Sequence, residues 1–219
     1  MTTDEKMYVQ YGCGLCAPDE WLNFDSSPTL RIEKIYGIGR FIRKNPHKFP
    51  RNVRFGDIIR GLRLPDNSAD AVYASHVLEH LALADLQKAL YNTLKLLKPS
   101  GIFRFVVPDL GWRAKQYVSS FEIGDAIAAS TFIQRCHFGR ERNPKTFIAK
   151  LSLLFGQSTH LWMWDEFSMR KALVDAGFGQ VRRCAIGDSG DPMFDLVEDP
   201  GRFFDEGFPE LAFEARKPA

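Results

Sequence analysis

Residues 7–25 read MYVQYGCGLCAPDEWLNFD and contain two short apolar runs joined by a glycine-containing turn. The first run, Met7–Tyr11, has the length and composition of a buried strand and ends at Gly12. The second, Trp21–Phe24, ends at Asp25, and glycine and aspartate are residues that commonly terminate strands. The segment therefore predicts the first two strands of a sheet, with a very short connection between them.

Short apolar runs alternate with helical patterns along the rest of the chain, which is typical of an α/β sheet with parallel strands. Leucines at three- and four-residue steps predict a helix over 83–97, and Pro99 and Gly101 are expected to end it. A second helix is expected from Asp165 as N-cap to Gly177, and helical character is also present over 30–44. Further strands are predicted at 53–55, 71–74, 102–107, 180–186 and 211–215.

The stretch 109–160 shows no clear strand pattern and is too long for a simple connection in a compact domain. Helical patterns recur within it at 112–121, 125–133 and 147–155. Ligands of open α/β sheets bind beyond the carboxyl ends of the strands. We therefore predict one domain over 1–219, in which 109–160 is a helical cap inserted after the fifth strand.

The composition, with 45% hydrophobic and 26% charged residues, is that of a soluble globular protein. No apolar run approaches the roughly 20 residues that span a bilayer, and MTTDEKMYVQ lacks the apolar region of a secretory signal. Four cysteines in 219 residues do not suggest a disulfide framework. The expected compartment is the cytoplasm.

The segment Arg31–Arg63 is basic, with ten Lys/Arg residues against two acidic ones, a local balance of +8. Such a segment can contact nucleic acid or phosphate. The favoured interpretation is a solvated amphipathic helix, with Ile35 and Ile38 facing the core and Arg40 and Arg43 facing water.

Two interpretations of the glycine-containing turn fit poorly. Cys13 and Cys16 have the C-x-x-C spacing of a redox dithiol or half a zinc site, but no second C-x-x-C follows, so no metal site is predicted. Gly12, Gly14 and Ala17 match the G-x-G-x-x-A of a nicotinamide-binding turn. That fingerprint needs a full helix before an acidic residue about 20 positions on, and Asp25 follows Gly12 by only thirteen.

A nucleoside site is the third interpretation, and it uses several strand ends together. Gly12 and Gly14 let the backbone approach a ligand closely because they lack a Cβ. Asp25, at the end of the second strand, can accept hydrogen bonds from both hydroxyls of a ribose. Asp57, at the end of the third, can accept from an adenine amino group.

The same residues resemble a known family, the class I S-adenosylmethionine-dependent methyltransferases, and specifically the methyltransferase type 11 group. The resemblance covers Val9 to about Pro108. It rests on YGCG at 11–14, WLNFD at 21–25, GDI at 56–58, LPDNSADAVYASHVLEHL at 64–81 and LLKPSGIFRFVVPDL at 96–110. It implies a Rossmann-like seven-stranded sheet, mostly parallel with an antiparallel last strand, and S-adenosyl-L-methionine as cofactor.

The resemblance also implies the site. The predicted cofactor-binding residues are Tyr11, Gly12, Cys13, Gly14, Asp25, Ser26, Asp57, Ile58, Ser75 and His76. Two positions depart from the family pattern: Gln10 replaces the acidic residue before the turn, and Cys16 replaces its third glycine. His80 is expected to bond to backbone near the glycine turn, and Glu79 is expected on a helix face.

The predicted activity is methyl transfer to an unidentified acceptor, with a carbohydrate-linked or small-molecule hydroxyl favoured. A hydroxyl acceptor needs a base, and His76 is the first candidate and His160 the second. Two alternatives stay open: a non-catalytic nucleoside-binding protein, suggested by Gln10 and Cys16, and a nucleic-acid methyltransferase, suggested by the basic segment. The sequence does not predict an oligomeric state.

Overall fold

A seven-stranded sheet forms the centre of the computed structural model, which describes residues 6–33, 48–139 and 159–219. Two further short strands, Phe204–Asp205 and Phe208–Pro209, pair as a separate hairpin. In chain order the strands are β1 Tyr8–Tyr11, β2 Leu22–Asp25, β3 Arg54–Phe55, β4 Ala69–Ser75, β5 Leu97–Val107, β6 Gly179–Arg183, β7 Phe204–Asp205, β8 Phe208–Pro209 and β9 Leu211–Arg216.

The strand order across the sheet is β3-β2-β1-β4-β5-β9-β6. The first five are parallel neighbours, and β9 runs antiparallel to both β5 and β6. This order confirms the predicted Rossmann-like sheet with an antiparallel last strand. The direction of winding reverses between β1 and β4, and ligands of such sheets bind at the carboxyl ends beside that point.

Each predicted helix that lies in the described residues is present within a few residues of its expected bounds, whereas the short helix at 200–203 and the 3-10 turn at 192–196 were not predicted. The helices are α1 Pro28–Glu33, α2 Leu83–Leu96, α3 Leu110–Glu122, α4 Ala128–Arg135, α5 Glu166–Asp175 and α6 Pro200–Phe203, with 3-10 turns at Leu78–His80 and Pro192–Leu196. Asp165 is the N-cap of α5, and its carboxylate accepts from the Ser168 N–H at 2.8 Å. Pro99 and Gly101 do not follow α2 as expected, because β5 begins at Leu97 and includes both.

Two predicted features extend beyond the described residues. The expected helix over 30–44 is described only as far as Glu33, and the predicted cap helix at 147–155 lies wholly outside. Within the predicted cap, α3 and α4 follow β5 directly. No helix in the described parts of the chain has both the length and the apolar character needed to cross a membrane.

One face of the sheet is covered by α2 and α5. Leu86 and Leu90 of α2 and Met169 and Leu173 of α5 are buried in the same core as Phe103 of β5. The three- and four-residue leucine spacing of α2 thus places its apolar side on the sheet, as the sequence predicted.

The opposite face is covered by a segment distant in sequence. Residues 12–21, between β1 and β2, contain no helix. The 3-10 turn Pro192–Leu196 lies there instead: the indole N–H of Trp21 donates to the Met193 carbonyl at 3.0 Å, and the Phe194 ring lies 5.5 Å from that of Trp21. Phe194 also contacts Tyr73 of β4, so it closes the core of this face.

A buried guanidinium joins this segment to the sheet. Arg104 of β5 is 0% exposed and donates to Glu198 at 2.8 Å and to Glu214 of β9 at 2.8 Å. It also donates to Asp188 at 2.9 Å and to the Ala185 carbonyl at 2.9 Å. Every interaction joins residues at least 81 positions apart, and the sequence pattern predicted only an apolar strand here.

Candidate active site

The glycine-containing turn lies at the carboxyl end of β1 and has two glycines with different surroundings. Gly12 and Gly14 have φ values of +67° and +54°, in the left-handed region that favours glycine. A Cβ on Gly12 would lie 2.2 Å from Cγ2 of Val77, whereas a Cβ on Gly14 would meet no atom within 4 Å. Gly12 is therefore required by packing, and Gly14 leaves open space beside the backbone.

Gln10, the first departure from the family pattern, has a structural role in fixing this short turn. Its amide N–H donates to the Cys16 carbonyl at 2.8 Å and to the side-chain oxygen of Asn23, its neighbour on β2. The Asn23 amide in turn donates to the carbonyls of Pro18 and Trp21, both at 2.8 Å. The two buried amides thus hold residues 16–21 in place without a helix.

The thiols at Cys13 and Cys16 do not have the properties of a redox pair. Burial raises the pKa of the Cys13 thiol to about 12, and burial also raises the pKa of Cys16. Cys13 packs with Leu30 and Val53, and all four cysteines of the chain are free. Because the thiolate is the reactive form, this environment disfavours dithiol chemistry.

Asp25 is a buried carboxylate at the end of β2, facing the glycine turn. Its Oδ2 accepts from the Gly14 N–H at 3.0 Å, and its Oδ1 accepts from the Ser27 N–H at 2.7 Å. A carboxylate offers about four acceptor positions, so two of them stay available for the hydroxyls of a ligand. Ser26 lies inside the turn that Asp25 and Ser27 close.

Asp57 and Ile58 lie beyond the end of β3. Oδ1 of Asp57 accepts from the Ile59 N–H at 3.0 Å, and Oδ2 lies 3.5 Å from Nε of Arg60, an exposed side chain. Ile58 is buried in the same core as Phe24 of β2. Asp57 therefore shapes the turn and retains capacity to accept a further hydrogen bond.

Tyr11 and Ser75 end the two central strands. The Tyr11 side chain is buried in the core, with its hydroxyl 3.3 Å from Oγ1 of Thr93, so its backbone is the part that lies at the turn. Oγ of Ser75 is buried and forms no hydrogen bond with the described residues. The Tyr73 hydroxyl is also buried, and its interaction with Ser75 partly offsets the rise that burial causes in the pKa of Tyr73.

His76 follows β4 with a φ of +51° and lies between two acceptors. Its Nε2 is 2.8 Å from the Arg202 carbonyl, and its Nδ1 is 3.2 Å from Oε1 of Glu79. Burial opposes protonation, but Glu79 and the carbonyl outweigh it and raise the pKa of His76. Both ring nitrogens therefore face hydrogen-bond acceptors, an arrangement that favours the protonated ring.

Glu79 and His80 differ from their predicted environments. Glu79 is 0% exposed in a 3-10 turn, not on a helix face. His80 interacts with backbone, as expected, but through Nδ1 at 3.2 Å from the Thr159 carbonyl and not near the glycine turn. The Glu79 carbonyl accepts from the N–H groups of Leu161 and Trp162, so residues 159–162 are bonded to this turn.

His160 is a buried, neutral imidazole next to His80. Burial lowers its pKa to about 4, and its Nδ1 lies 3.2 Å from Sδ of Met163. Its ring centroid is 5.2 Å from that of His80 and 4.7 Å from that of His137. His80 and His160 are 80 positions apart in the sequence, which gave no signal of this proximity.

His76 and His160 line one cavity of about 640 Å³ at the carboxyl edge of the sheet. Arg113 of α3 also lines it and donates to Glu210 at 2.7 Å and to Asp205 at 3.0 Å. The cavity thus joins β4, the predicted cap and the hairpin region. No local sequence pattern indicates Arg113, Asp205 or Glu210 as residues of a site.

Comparison with known protein families identifies the N-terminal part of the chain. The family described as a methyltransferase domain matches residues 9–105, from β1 to near the end of β5. Residues 9–105 form a methyltransferase domain of the type 11 group. For these residues the match confirms the family that the sequence predicted.

This chain also has the same fold as solved structures of methyltransferases. A SAM-dependent methyltransferase from Archaeoglobus fulgidus is 18% identical over 97% of this chain and 86% of its own, with a TM-score of 0.50. The CurJ carbon methyltransferase is 13% identical, with a TM-score of 0.50, over 100% of this chain and 50% of its own. This chain therefore spans half the length of the CurJ chain. A comparison with curated protein sequences gives no match.

Proposed function

We propose that this protein transfers a methyl group from S-adenosyl-L-methionine to a hydroxyl of a small-molecule or carbohydrate-linked acceptor bound in the 640 Å³ cavity. The observation that carries the proposal is the position of Asp25. Its buried carboxylate, at the end of β2 in a methyltransferase domain, already holds the Gly14 N–H and has two acceptor positions left.

The residues at the strand ends fit the cofactor. Open space beside Gly14 suits the methionine portion, Asp25 suits the ribose and Asp57 the adenine amino group. The unpartnered Oγ of Ser75 offers a further polar contact. S-adenosyl-L-methionine, when bound, supplies a methyl group on a positively charged sulfur. The chain contributes orientation, which can account for about 7–11 kcal/mol of a barrier.

The acceptor side of the proposal rests on the two predicted catalytic histidines, which line the cavity together. His76 is placed as a hydrogen-bond donor, because both its ring nitrogens face acceptors. His160 is neutral, but a pKa of about 4 makes it a weak base near neutral pH. Each can contact the acceptor, and neither is tuned to remove a proton from a hydroxyl.

The two alternatives receive less support. Gln10 forms bonds that build the turn, so its presence does not argue for a degenerate pocket. Residues 34–47 of the basic segment lie outside the described residues. In the described part, Arg31 stacks on the Phe55 ring at 4.7 Å and Arg60 lies near Asp57, so both contact this chain's own residues.

Replacement of Asp25 by alanine is expected to weaken binding of S-adenosyl-L-methionine by about 1.5–3 kcal/mol, roughly 10- to 150-fold. The reason is that hydrogen bonds from ribose hydroxyls to a carboxylate are lost, together with the support of the Gly14 N–H. Calorimetric titration with S-adenosyl-L-methionine and S-adenosylhomocysteine measures the change.

Asp70→Ala is the matched control. Asp70 also accepts a hydrogen bond from a backbone N–H, that of Met7 at 2.8 Å. It lies at the amino end of β4, whereas Asp25 lies at the carboxyl edge of the sheet. Its replacement should leave cofactor affinity unchanged. Failure of the wild-type protein to bind either ligand would overturn the proposed function, and unchanged affinity in Asp25→Ala would overturn the ribose assignment.

A further inference from the structure

One carboxylate and two imidazoles meet on one side of the acceptor cavity. Ligand atoms of Glu79, His80 and His160 all lie within 4.8 Å of one another. Nε2 of His80 is 3.9 Å from Oε1 of Glu79. Bonds of about 2.0–2.2 Å to a shared ion would require these atoms to approach by roughly 1 Å, a movement within reach of side-chain rotation.

The Glu79 carboxylate has only part of the polar surroundings that a buried charge needs. Nδ1 of His76 lies 3.2 Å from Oε1 and can donate to it. Oε2 is buried and has no hydrogen-bond partner among the described residues. A buried carboxylate is stable when it is paired or coordinates a metal, so Oε2 in particular is available for a cation.

The contacts of the two imidazoles direct a lone pair toward Glu79. Nδ1 of His80 faces the Thr159 carbonyl at 3.2 Å, which favours the tautomer with the proton on Nδ1 and a lone pair on Nε2. Metal-binding histidines commonly donate their other N–H to a carbonyl in this way. His160 has Nδ1 beside the Met163 sulfur, and its Nε2 is likewise left for a ligand.

We propose that Glu79, His80 and His160 bind a divalent transition-metal ion, of which zinc is the representative. Two histidines and one carboxylate are a ligand set of catalytic zinc and of non-haem iron(II) sites, whereas magnesium and calcium prefer oxygen ligands alone. Three protein ligands leave at least one coordination position open, and all three line the acceptor cavity.

The open position would take the hydroxyl oxygen of the acceptor, a step that rests on the proposed function. A metal ion lowers the pKa of a coordinated hydroxyl, whose proton then passes to bulk water. This assigns the removal of the proton to the metal, in a cavity where both ring nitrogens of His76 face hydrogen-bond acceptors. It also gives buried Glu79 a ligand role that the sequence did not predict.

The test is titration of the full chain, first freed of metal by a chelator, with zinc alone against a chromophoric competitor. One zinc per chain is expected, and Glu79→Gln and His80→Ala should each weaken binding at least about 100-fold, more than is typical for loss of a residue that only orients a ligand. Cys16→Ser is the control and should bind as wild type, since it alters only the C-x-x-C. The inference is overturned if the wild-type protein binds no zinc, or if Glu79→Gln and His80→Ala bind zinc as tightly as the wild type.

Titration of the same variants with S-adenosylhomocysteine separates the two proposals. Unchanged affinity for this ligand shows that Glu79→Gln and His80→Ala are folded, so their loss of zinc binding reports on the ligands. Wild-type protein that binds S-adenosylhomocysteine but no zinc overturns the metal site and leaves the proposed function standing. Cobalt(II) added in place of zinc should give a spectrum without thiolate charge transfer; a thiolate band would overturn the assignment.

Discussion

Arg104→Met is expected to lower the free energy of unfolding by about 3–5 kcal/mol. The guanidinium is 0% exposed and donates to both Glu198 and Glu214, each at 2.8 Å. Methionine fills much of the same space, so the loss comes mainly from the charges left behind. Glu198 would retain only the Gly187 N–H, at 2.8 Å, among its hydrogen bonds in the described residues.

Urea unfolding followed by circular dichroism measures this change, and Arg182→Ala is the matched control. Arg182 donates to the same Glu214 at 2.9 Å and to Asp188 at 2.9 Å, but its side chain is 42% exposed. An exposed pair of this kind contributes about 0–1 kcal/mol. Adding Glu198→Gln to Arg104→Met should recover part of the loss, because it removes a buried charge. Equal effects of Arg104→Met and Arg182→Ala would contradict the assignment.

The sequence predicted the sheet well because strand and helix patterns are local. The apolar run at 102–107 predicts β5 from its own residues, and the leucine spacing of α2 predicts its buried side. The same run contains Arg104, whose partners lie 81 to 110 positions away. No local pattern indicates which acids will surround a buried arginine, so its role became visible only in the fold.

The candidate site was likewise predictable only where it depends on local pattern. Gly14 and Asp25 could be predicted because parallel strands bring their carboxyl ends to one edge of the sheet, and the Gly14–Asp25 hydrogen bond joins them there. The neighbourhood of Glu79 could not, because backbone bonds from Leu161 and Trp162, more than 80 positions along the chain, bring His160 to it. The packing of the 3-10 turn Pro192–Leu196 on Trp21 could not be predicted either, because the two segments are more than 170 positions apart.

Gly12→Ala is expected to lower the free energy of unfolding by about 2–5 kcal/mol, through two separate causes. A φ of +67° costs a residue with a Cβ about 1–2 kcal/mol. The new Cβ would also lie 2.2 Å from Cγ2 of Val77, and such overpacking typically costs 1–3 kcal/mol. Val77→Ala in the same chain removes the overpacking, so the double variant should be about 1–3 kcal/mol more stable than the sum of the two single losses predicts.

Gly14→Ala separates folding from ligand binding within the same turn. Its φ of +54° gives a similar backbone cost, but its Cβ meets no atom within 4 Å, so we expect a stability loss of only about 1–2 kcal/mol. The added methyl group would occupy the space assigned to the methionine portion of the cofactor. Gly14→Ala should therefore weaken S-adenosylhomocysteine binding more than it destabilises the fold, as calorimetric titration and urea unfolding of one preparation can measure. Full cofactor affinity in Gly14→Ala would show that the ligand does not approach this side of the turn.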